Sequence, residues 1–299
     1  MPLSVPTNLG SIGPLGTVAA NAAVAAGNII KDASKEMSST AVTKTKANPR
    51  DLLTKTDPIC EAEITRIIKE TYPSHLILGE EAVASGPDAS ASALEHYLKL
   101  AKEADEHLWI VDPLDGTTNF VHSIPMSLPS VACLSPDGEV VAGCVYDGER
   151  EECFVAEVGK GAWLNGVRIE VDKGTENLGE CVLAMGSPPG AESLSMSLLG
   201  INALMPKVRT IRMFGSAALM LAWVACGRLG GYWEYDLSSW DVAAGGLLIK
   251  EAGGIMGDLD DEGGRTEKFD IRKRKIVGTN GIIHEKLRGV LKDAGVIKR

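Results

Sequence analysis

The chain has 299 residues, an apolar fraction of 44% and a charged fraction of 23%, which excludes a wholly disordered protein. Its 30 basic and 40 acidic residues give a net charge of −10, which argues against a nucleic-acid partner because such partners require a basic face. The acidic balance does not exclude a phosphorylated small molecule, because bound metal ions can reverse the local field.

The first predicted element is a helix from Thr17 to about Met37, whose apolar residues recur at steps of three and four. A polar loop follows, with a short strand predicted at Asp51–Thr54. A second helix is predicted from Pro58 to about Thr71, because Asp57 followed by proline is a typical N-cap and first-turn pair. The Tyr72-Pro73 pair should end it.

The middle of the chain predicts a largely antiparallel sheet. Two buried strands are predicted at residues 76–79 and 108–112, and acidic residues lie at the C-terminal end of each. Between them we predict a loop at residues 82–91 and a surface helix at residues 94–103. Asp-Gly and Asn-Gly pairs mark hairpin turns among the strands that follow. Those later strands are predicted at 127–135, 139–147, 152–158 and 167–171.

The last third of the chain alternates strands and helices. Strands are predicted at 181–186, 209–215, 230–236 and 276–280, and helices at Ser193–Met205, 216–228, Trp240–Ala252 and His284–Asp293. This order predicts an α/β or α+β fold with layered sheets. No linker is evident, so we expect one domain over residues 1–299, with an N-terminal part to about 180 and a C-terminal part from about 181.

The sequence also bears on the compartment. None of the six cysteines has CxxC spacing, which favours free thiols in a reducing compartment. No positive charge precedes Lys31, and no apolar run reaches the ~20 residues that span a bilayer. We therefore expect a cytoplasmic protein without a membrane partner.

The segment WIVDPLDGTTNF, residues 109–120, carries the strongest chemical signal. Asp112 lies where a buried strand emerges, Pro113 forces a turn, and Asp115 follows three residues after Asp112. Two close carboxylates suit Mg²⁺, which prefers oxygen ligands. Backbone N–H groups at residues 116–118 could bind phosphate oxygens, and a threonine hydroxyl could relay a proton. Capping aspartates in an ordinary turn are the structural alternative.

Three further acidic positions have both structural and chemical explanations. Asp241 falls in the first turn of a helix, where a carboxylate is favourable with the helix dipole. Glu80 and Glu81 are adjacent at a strand end, where they repel each other unless a cation or donor is close. Asp57 is explained by its predicted capping role alone.

Together these residues resemble the inositol monophosphatase family. The resemblance rests first on DPLDGTTNF at residues 112–120 and WDVAAGGLLIKEAGG at residues 240–254. Shorter matches fall in the family's order: TKTDP at 54–58, GEE at 79–81, GKGAWLNG at 159–166 and GSAAL at 215–219. The resemblance implies a layered αβαβα sandwich, a homodimer and sensitivity to lithium.

The resemblance also implies a site for two or three Mg²⁺ ions. The implied metal-binding residues are Glu80, Glu81, Asp112, Leu114 (through its carbonyl), Asp115 and Asp241. The implied substrate-binding residues are Gly116, Thr117, Ala217, Glu234 and Asp241, and the implied catalytic residues are Thr117, Asp57 and Glu80. Thr117 and Asp57 would activate the attacking water, and Glu234 would contact inositol hydroxyl groups. Glu81 would serve a third, weaker metal position.

The implied reaction is hydrolysis of a small phosphorylated polyol, inositol monophosphate, by activated water without a covalent protein intermediate. Alternatives within the same chemistry are fructose 1,6-bisphosphate, adenosine 3′,5′-bisphosphate and histidinol phosphate. A non-catalytic sugar-phosphate-binding relative is a further alternative, although such a protein should have lost a metal ligand. Two departures from the family concern the substrate: the segment between Glu81 and Trp109 is long, and Ser238 replaces a histidine found in some members.

Overall fold

A computed structural model describes residues 8–36, 42–45, 52–84, 86–260 and 270–297. In chain order, its helices and strands are α1 (Pro14–Glu36), β1 (Val42–Thr45), β2 (Leu52–Thr54), α2 (Thr56–Thr71), β3 (Leu76–Gly79), α3 (Pro87–Ala104), β4 (Leu108–Asp115), α4 (Thr117–Val121), β5 (Leu128–Leu134), β6 (Val140–Asp147), β7 (Glu152–Glu157), β8 (Gly161–Leu164), β9 (Val167–Ile169), β10 (Val182–Met185), α5 (Ala191–Leu204), β11 (Thr210–Arg212), α6 (Ala217–Ala225), β12 (Gly231–Glu234), α7 (Ser239–Glu251), β13 (Ile255–Asp258), β14 (Ile276–Thr279) and α8 (His284–Asp293).

The larger sheet has seven strands in the order β3-β4-β5-β6-β7-β8-β9. Only its first pair, β3 and β4, is parallel. Every residue of β4 is buried, because both faces of the sheet are covered. Trp109 and Val111 face the helices α1 and α2, whereas Leu108 and Ile110 face the core formed with α6 and α7. Burial on both faces explains why this strand reads as a continuous apolar run.

The smaller sheet has five strands in the order β11-β10-β12-β14-β13. Its three strands β11, β10 and β12 are parallel, and β14 runs antiparallel to both of its neighbours. One face packs on α6 and α7, and the other packs on α5 and α8. The layers therefore run helix, sheet, helix, sheet, helix, and the predicted α/β (α+β) layered αβαβα sandwich is confirmed.

The helices α6 and α7 form the central layer between the sheets. Their residues are buried nearly all round, as the apolar sequence of residues 216–228 predicts. Small residues permit close packing here: a Cβ on Gly143 of β6 would lie 2.9 Å from the Ala244 Cα of α7. A Cβ on Gly245 would likewise lie 2.5 Å from the Leu221 Cβ of α6. This packing fixes the position of α7 relative to the larger sheet and to α6.

The structure corrects several predicted elements. The helix α2 begins at Thr56 rather than Pro58, so Asp57 is not an N-cap and lies inside the first turn. The helix α3 occupies Pro87–Ala104, so much of the predicted loop at 82–91 is helical, since Leu94 and Ala101 bury an apolar face against the core. Asp51 and Met37, at the ends of predicted elements, lie outside the described residues.

Short elements were harder to predict than long ones. The sequence patterns do not reveal α4, β1, β8 or β13, each only four or five residues long. The strand β4 continues to Asp115, but its register with β5 is interrupted between Asp112 and Asp115, around Pro113.

The division near residue 180 stays a prediction, although the chain passes from one sheet to the other between Ile169 and Val182. None of the described helices is both long and apolar enough to cross a membrane.

The close contact between β6 and α7 gives a test of this packing. We expect Gly143→Ala to lower the free energy of unfolding by about 1–3 kcal/mol, because its methyl group would meet the backbone of α7. The control is Gly289→Ala in α8, where a Cβ meets no atom within 4 Å. That change should raise stability by up to about 1 kcal/mol through helix propensity. Equal effects of the two variants in urea unfolding would contradict the packing argument.

Candidate active site

A cleft of about 640 Å³ opens where both sheets approach the central helices. It is lined by residues from the end of β3, the β4–α4 turn, and the turn between β12 and α7. Such a volume suits a small-molecule ligand. Among the residues predicted from sequence, those that line the cleft are Glu80, Asp115, Gly116, Thr117, Glu234 and Asp241.

The parallel pairing of β3 and β4 brings two of the predicted acids together. Gly79 pairs with Val111, so the next residues along the two neighbouring chains, Glu80 and Asp112, lie side by side. The irregular register after Asp112 then redirects the chain, and Asp115 pairs with Leu128 of β5. A sequence separation of three residues thereby becomes a pair of nearby carboxylates.

Three aspartates form the centre of the site. Carboxylate oxygens of Asp112, Asp115 and Asp241 all lie within 4.8 Å of one another. Asp112 Oδ1 accepts the Leu114 N–H at 2.9 Å, and Asp241 Oδ2 accepts the Ser238 N–H at 2.6 Å. The cluster therefore unites residues of the larger sheet with the first turn of α7.

Asp115 is held by the start of α6. Its Oδ2 accepts hydrogen bonds from Ser216 Oγ and from the Ala218 N–H, both at 2.7 Å. Ser216 is itself the N-cap of α6, since its side chain accepts the Leu219 N–H. Neighbouring donors of this kind fix a carboxylate and stabilise its negative charge near a helix N-terminus.

Burial and mutual repulsion raise the pKa values of these carboxyl groups. Burial raises the pKa of Asp112 well above its ordinary value, and the nearby charges of Glu80, Asp115 and Asp241 add to the effect. Burial, partly offset by Ser216, raises the pKa of Asp115 to about 6. The pKa of Asp241 is raised by burial and then by Asp115 and Glu80. Divalent cations would relieve this repulsion, and an all-oxygen donor set of this kind fits Mg²⁺.

The turn after Asp115 is tight, and its backbone requires glycine at position 116. Gly116 has a φ of 85°, and a Cβ there would lie 2.7 Å from the Met126 carbonyl oxygen. The short helix α4 starts at Thr117, whose hydroxyl donates to the Leu114 carbonyl at 3.1 Å. The side chain of Asn119 ties this turn to the loop before α6 by donating to the carbonyl oxygens of Met126 and Phe214.

Asp57 is buried beside this turn. Its Oδ2 accepts the Thr54 N–H at 3.0 Å and also the Thr54 hydroxyl. The strand β2, which ends at Thr54, contacts α4, which begins at Thr117. The TKTD and DGTT motifs are therefore close in space, although 60 residues separate Asp57 from Thr117 in the sequence.

Glu234 lines the cleft from the end of β12. The Tyr232 hydroxyl donates to its carboxylate. Burial raises the pKa of Glu234 to about 8, although the Tyr232 hydrogen bond opposes this. A Cβ on Gly186 would lie only 1.7 Å from the Glu234 carboxyl carbon, so glycine at 186 provides the space that this side chain occupies.

The remaining predicted residues are less directly placed. Asp57, Glu81, Asp112, Leu114 and Ala217 are not among the described residues that line the cleft. The backbone N–H of Glu81 donates to the Glu61 carboxylate at 3.0 Å, and Ala217 is buried at the start of α6. Their predicted roles, like those of the other site residues, stay predictions.

Sequence patterns missed several residues that shape the site. Ser216 was visible only as part of GSAAL, and nothing in the sequence linked it to Asp115. Asp236, Ser90 and Arg274 line the cleft, but they are distant from the recognised motifs. The long segment between Glu81 and Trp109 contributes to the rim through Val83, Ala84, Gly86 and Ser90.

Comparisons with known proteins identify the family of the chain. The model of the inositol monophosphatase family matches residues 13–295. The chain is 38% identical to inositol monophosphatase 2 of Solanum lycopersicum, over 82% of this chain and 86% of the relative. It is 36% identical to Nus factor SuhB of Pseudomonas aeruginosa, over 82% of this chain and 86% of the relative. The extragenic suppressor protein suhB of Bartonella henselae superimposes with a TM-score of 0.78 at 34% identity, covering 92% of this chain and 97% of that chain.

The repulsion among the clustered carboxylates can be tested without an activity assay. We expect Asp112→Asn to raise the Tm of the metal-free protein by about 2 °C or more, because it removes a buried charge that three acids repel. Asparagine can still accept the Leu114 N–H. Mg²⁺ should raise the Tm of the original protein by mass action and that of the variant much less.

The effect of Asp112→Asn on stability should depend on pH in a defined direction. A carboxyl group whose pKa is higher in the folded state takes up protons on folding, so its effect on stability becomes more unfavourable as pH rises above about 4. The Tm difference between Asp112→Asn and the original protein should therefore grow as the pH is raised toward neutrality. Asp137→Asn, at an exposed position 3.8 Å from Lys102, is the matched control and should change stability by less than about 0.5 kcal/mol. A Tm gain independent of pH would contradict the electrostatic explanation.

Proposed function

The chain belongs to the inositol monophosphatase family, and on that basis we propose that it is a Mg²⁺-dependent phosphomonoesterase that hydrolyses inositol monophosphate to inositol and phosphate. The observation that carries the proposal is the cluster of Asp112, Asp115 and Asp241 beside a cleft that Glu234 also lines. The non-catalytic alternative is disfavoured, because every acidic residue that the chemistry requires is present.

Residues of the larger sheet, of the segment after β3 and of α7 would hold the metal ions. The proposed ligands are Glu80, Asp112, the Leu114 carbonyl, Asp115 and Asp241, with Glu81 at a third, weaker position. When bound, Mg²⁺ supplies activation of water and neutralisation of the charge that develops on the phosphate and the leaving oxygen. The Ser216 and Ala218 donors keep Asp115 oriented for this purpose.

The Gly116 turn would hold the phosphate and the attacking water. Backbone N–H groups of Gly116 and Thr117 would donate to phosphate oxygens, because the left-handed conformation at Gly116 turns the chain at the cleft wall. The Thr117 hydroxyl and the Asp57 carboxylate would orient the water and take up its proton. Glu80, beside them at the end of β3, would assist in orienting the same water.

Glu234 would recognise the alcohol part of the substrate. A carboxyl group with a pKa of about 8 is largely protonated at neutral pH, so it can both donate to and accept from substrate hydroxyl groups. Ala217 would contact the same part of the substrate. A carboxyl group in the cleft lining supports a polyol substrate.

We further propose a homodimeric, cytoplasmic enzyme that is sensitive to lithium through competition at a Mg²⁺ position. We also propose that residues 1–299 form a single domain. The lithium sensitivity is proposed from the family and the acidic cluster, and the other statements are proposed from the family.

The proposal is tested by phosphate release from a panel of phosphomonoesters with Mg²⁺ and with a chelator. We expect inositol 1-phosphate to be hydrolysed only with Mg²⁺, and Asp112→Asn to reduce kcat/KM by at least about 1000-fold, as expected when a metal ligand for the reaction is lost. The Asp137→Asn control should retain full activity. Metal-independent hydrolysis, or full activity of Asp112→Asn, would contradict the assigned site.

The role of Glu234 can be separated from the chemistry of phosphate release. We expect Glu234→Gln, which fits the same space over Gly186, to raise KM for inositol 1-phosphate about tenfold through loss of hydrogen bonding. Its effect on 4-nitrophenyl phosphate, whose alcohol part carries no hydroxyl groups, should be much smaller. Equal effects on the two substrates would show that Glu234 is structural.

A further inference from the structure

The cleft has an uneven distribution of charge. Among the described residues that line it, five are acidic: Glu80, Asp115, Glu234, Asp236 and Asp241. Arg274 is the one basic residue in that lining. Metal ions would offset the charges of Asp115 and Asp241, whereas Arg274 lies beside Ser90, Asp236 and Leu237 of the lining.

Arg274 is held in place by hydrogen bonds on two sides. Its Nη1 donates to Ser90 Oγ at 3.0 Å, and its Nη2 donates to the Asp236 carbonyl oxygen at 2.9 Å. Its own carbonyl oxygen accepts the Leu237 N–H at 3.1 Å. The guanidinium is therefore fixed to the turn that joins Glu234 to α7, so little side-chain entropy remains to be lost when a ligand binds.

No carboxylate of the described residues forms an ion pair with Arg274, in contrast to its neighbours along the chain. Arg272 pairs with Asp270 at 2.8 Å, Lys273 with Asp258 at 2.9 Å, and Lys275 with Asp260 at 2.8 Å. Asp236 accepts a hydrogen bond from Arg274 through its backbone carbonyl oxygen and not through its carboxylate. The carboxylate lies against Gly190, with Oδ2 2.7 Å from the position that a Cβ on Gly190 would occupy.

Three of the five N–H donors of Arg274 are not used in these two hydrogen bonds. The half-buried guanidinium thus keeps both its charge and most of its donor capacity on a cleft wall. Arginine is suited to bind planar carboxylates or phosphates through paired hydrogen bonds.

We infer that Arg274 binds a second anionic group on the alcohol part of the substrate. This inference rests on the proposed phosphatase function and extends its substrate class to polyol phosphates that carry another phosphate or a carboxylate. The long segment between Glu81 and Trp109 takes part, because it supplies Ser90 of α3, which holds the guanidinium. The segment that departs from the family thereby acts on substrate choice rather than on phosphate hydrolysis.

The test compares substrates that differ only in the second anionic group. Fructose 1,6-bisphosphate is compared with fructose 1-phosphate, and 3-phosphoglycerate with glycerol 1-phosphate, all with Mg²⁺ present. We expect kcat/KM to be about 10- to 100-fold higher for the doubly anionic member of at least one pair, the gain typical of one charge-assisted contact. The pair that shows the gain identifies phosphate or carboxylate as the second group.

Variants then assign the effect to Arg274. Arg274→Met should remove most of this preference, mainly by raising KM for the doubly anionic substrate, and Arg274→Lys should restore part of it. Arg272→Met, which removes a neighbouring cation paired outside the cleft, should leave the preference unchanged. Tm measurements on each variant show whether it is folded.

The outcomes separate this inference from the proposed function. Mg²⁺-dependent hydrolysis without preference for either doubly anionic substrate in the unmodified protein overturns the inference and leaves the phosphatase assignment intact. An equal loss for both members of each pair in Arg274→Met assigns Arg274 a structural role and also overturns it. Absence of hydrolysis for every phosphomonoester overturns the proposed function itself.

Discussion

The site depends on one electrostatic constraint: three aspartates must remain within 4.8 Å of one another although their charges repel. Repulsion of this kind opposes folding, and hydrogen bonds from Leu114, Ser216, Ala218 and Ser238 offset it only in part. The same arrangement that weakens the metal-free protein provides a strong field for divalent cations. Stability is thus reduced where the chemistry is placed, as is common for functional sites.

The central helices connect this constraint to the fold. The start of α6 supplies donors to Asp115, and the first turn of α7 supplies Asp241. Both helices are buried between the sheets, and Gly143 and Gly245 allow α7 to pack closely on both sides. Precise placement of Asp241 therefore follows from core packing, because a well-packed interior resists displacement.

The proposals assign different roles to different residues of the cleft lining. The acidic cluster and the Gly116 turn are proposed to serve hydrolysis of the phosphate ester. Glu234 and the guanidinium of Arg274 are proposed to recognise the alcohol part of the substrate, and α3 reaches the cleft through Ser90. Hydrolysis could be conserved while the substrate changes, because different elements carry these two groups of residues.

The sequence by itself determined the long helices, most of the strands, the layered α/β class and the acids of the local motifs, because periodicity and the DPLDGTTNF string are properties of neighbouring residues. Tertiary structure alone decided which distant residues meet. It placed Ser216 on Asp115 and Ser90 on Arg274, pairs that lie 101 and 184 positions apart in the sequence. Hydrogen bonds between residues about 100 or more positions apart depend on how sheets and helices stack, and local sequence patterns carry no information about that stacking.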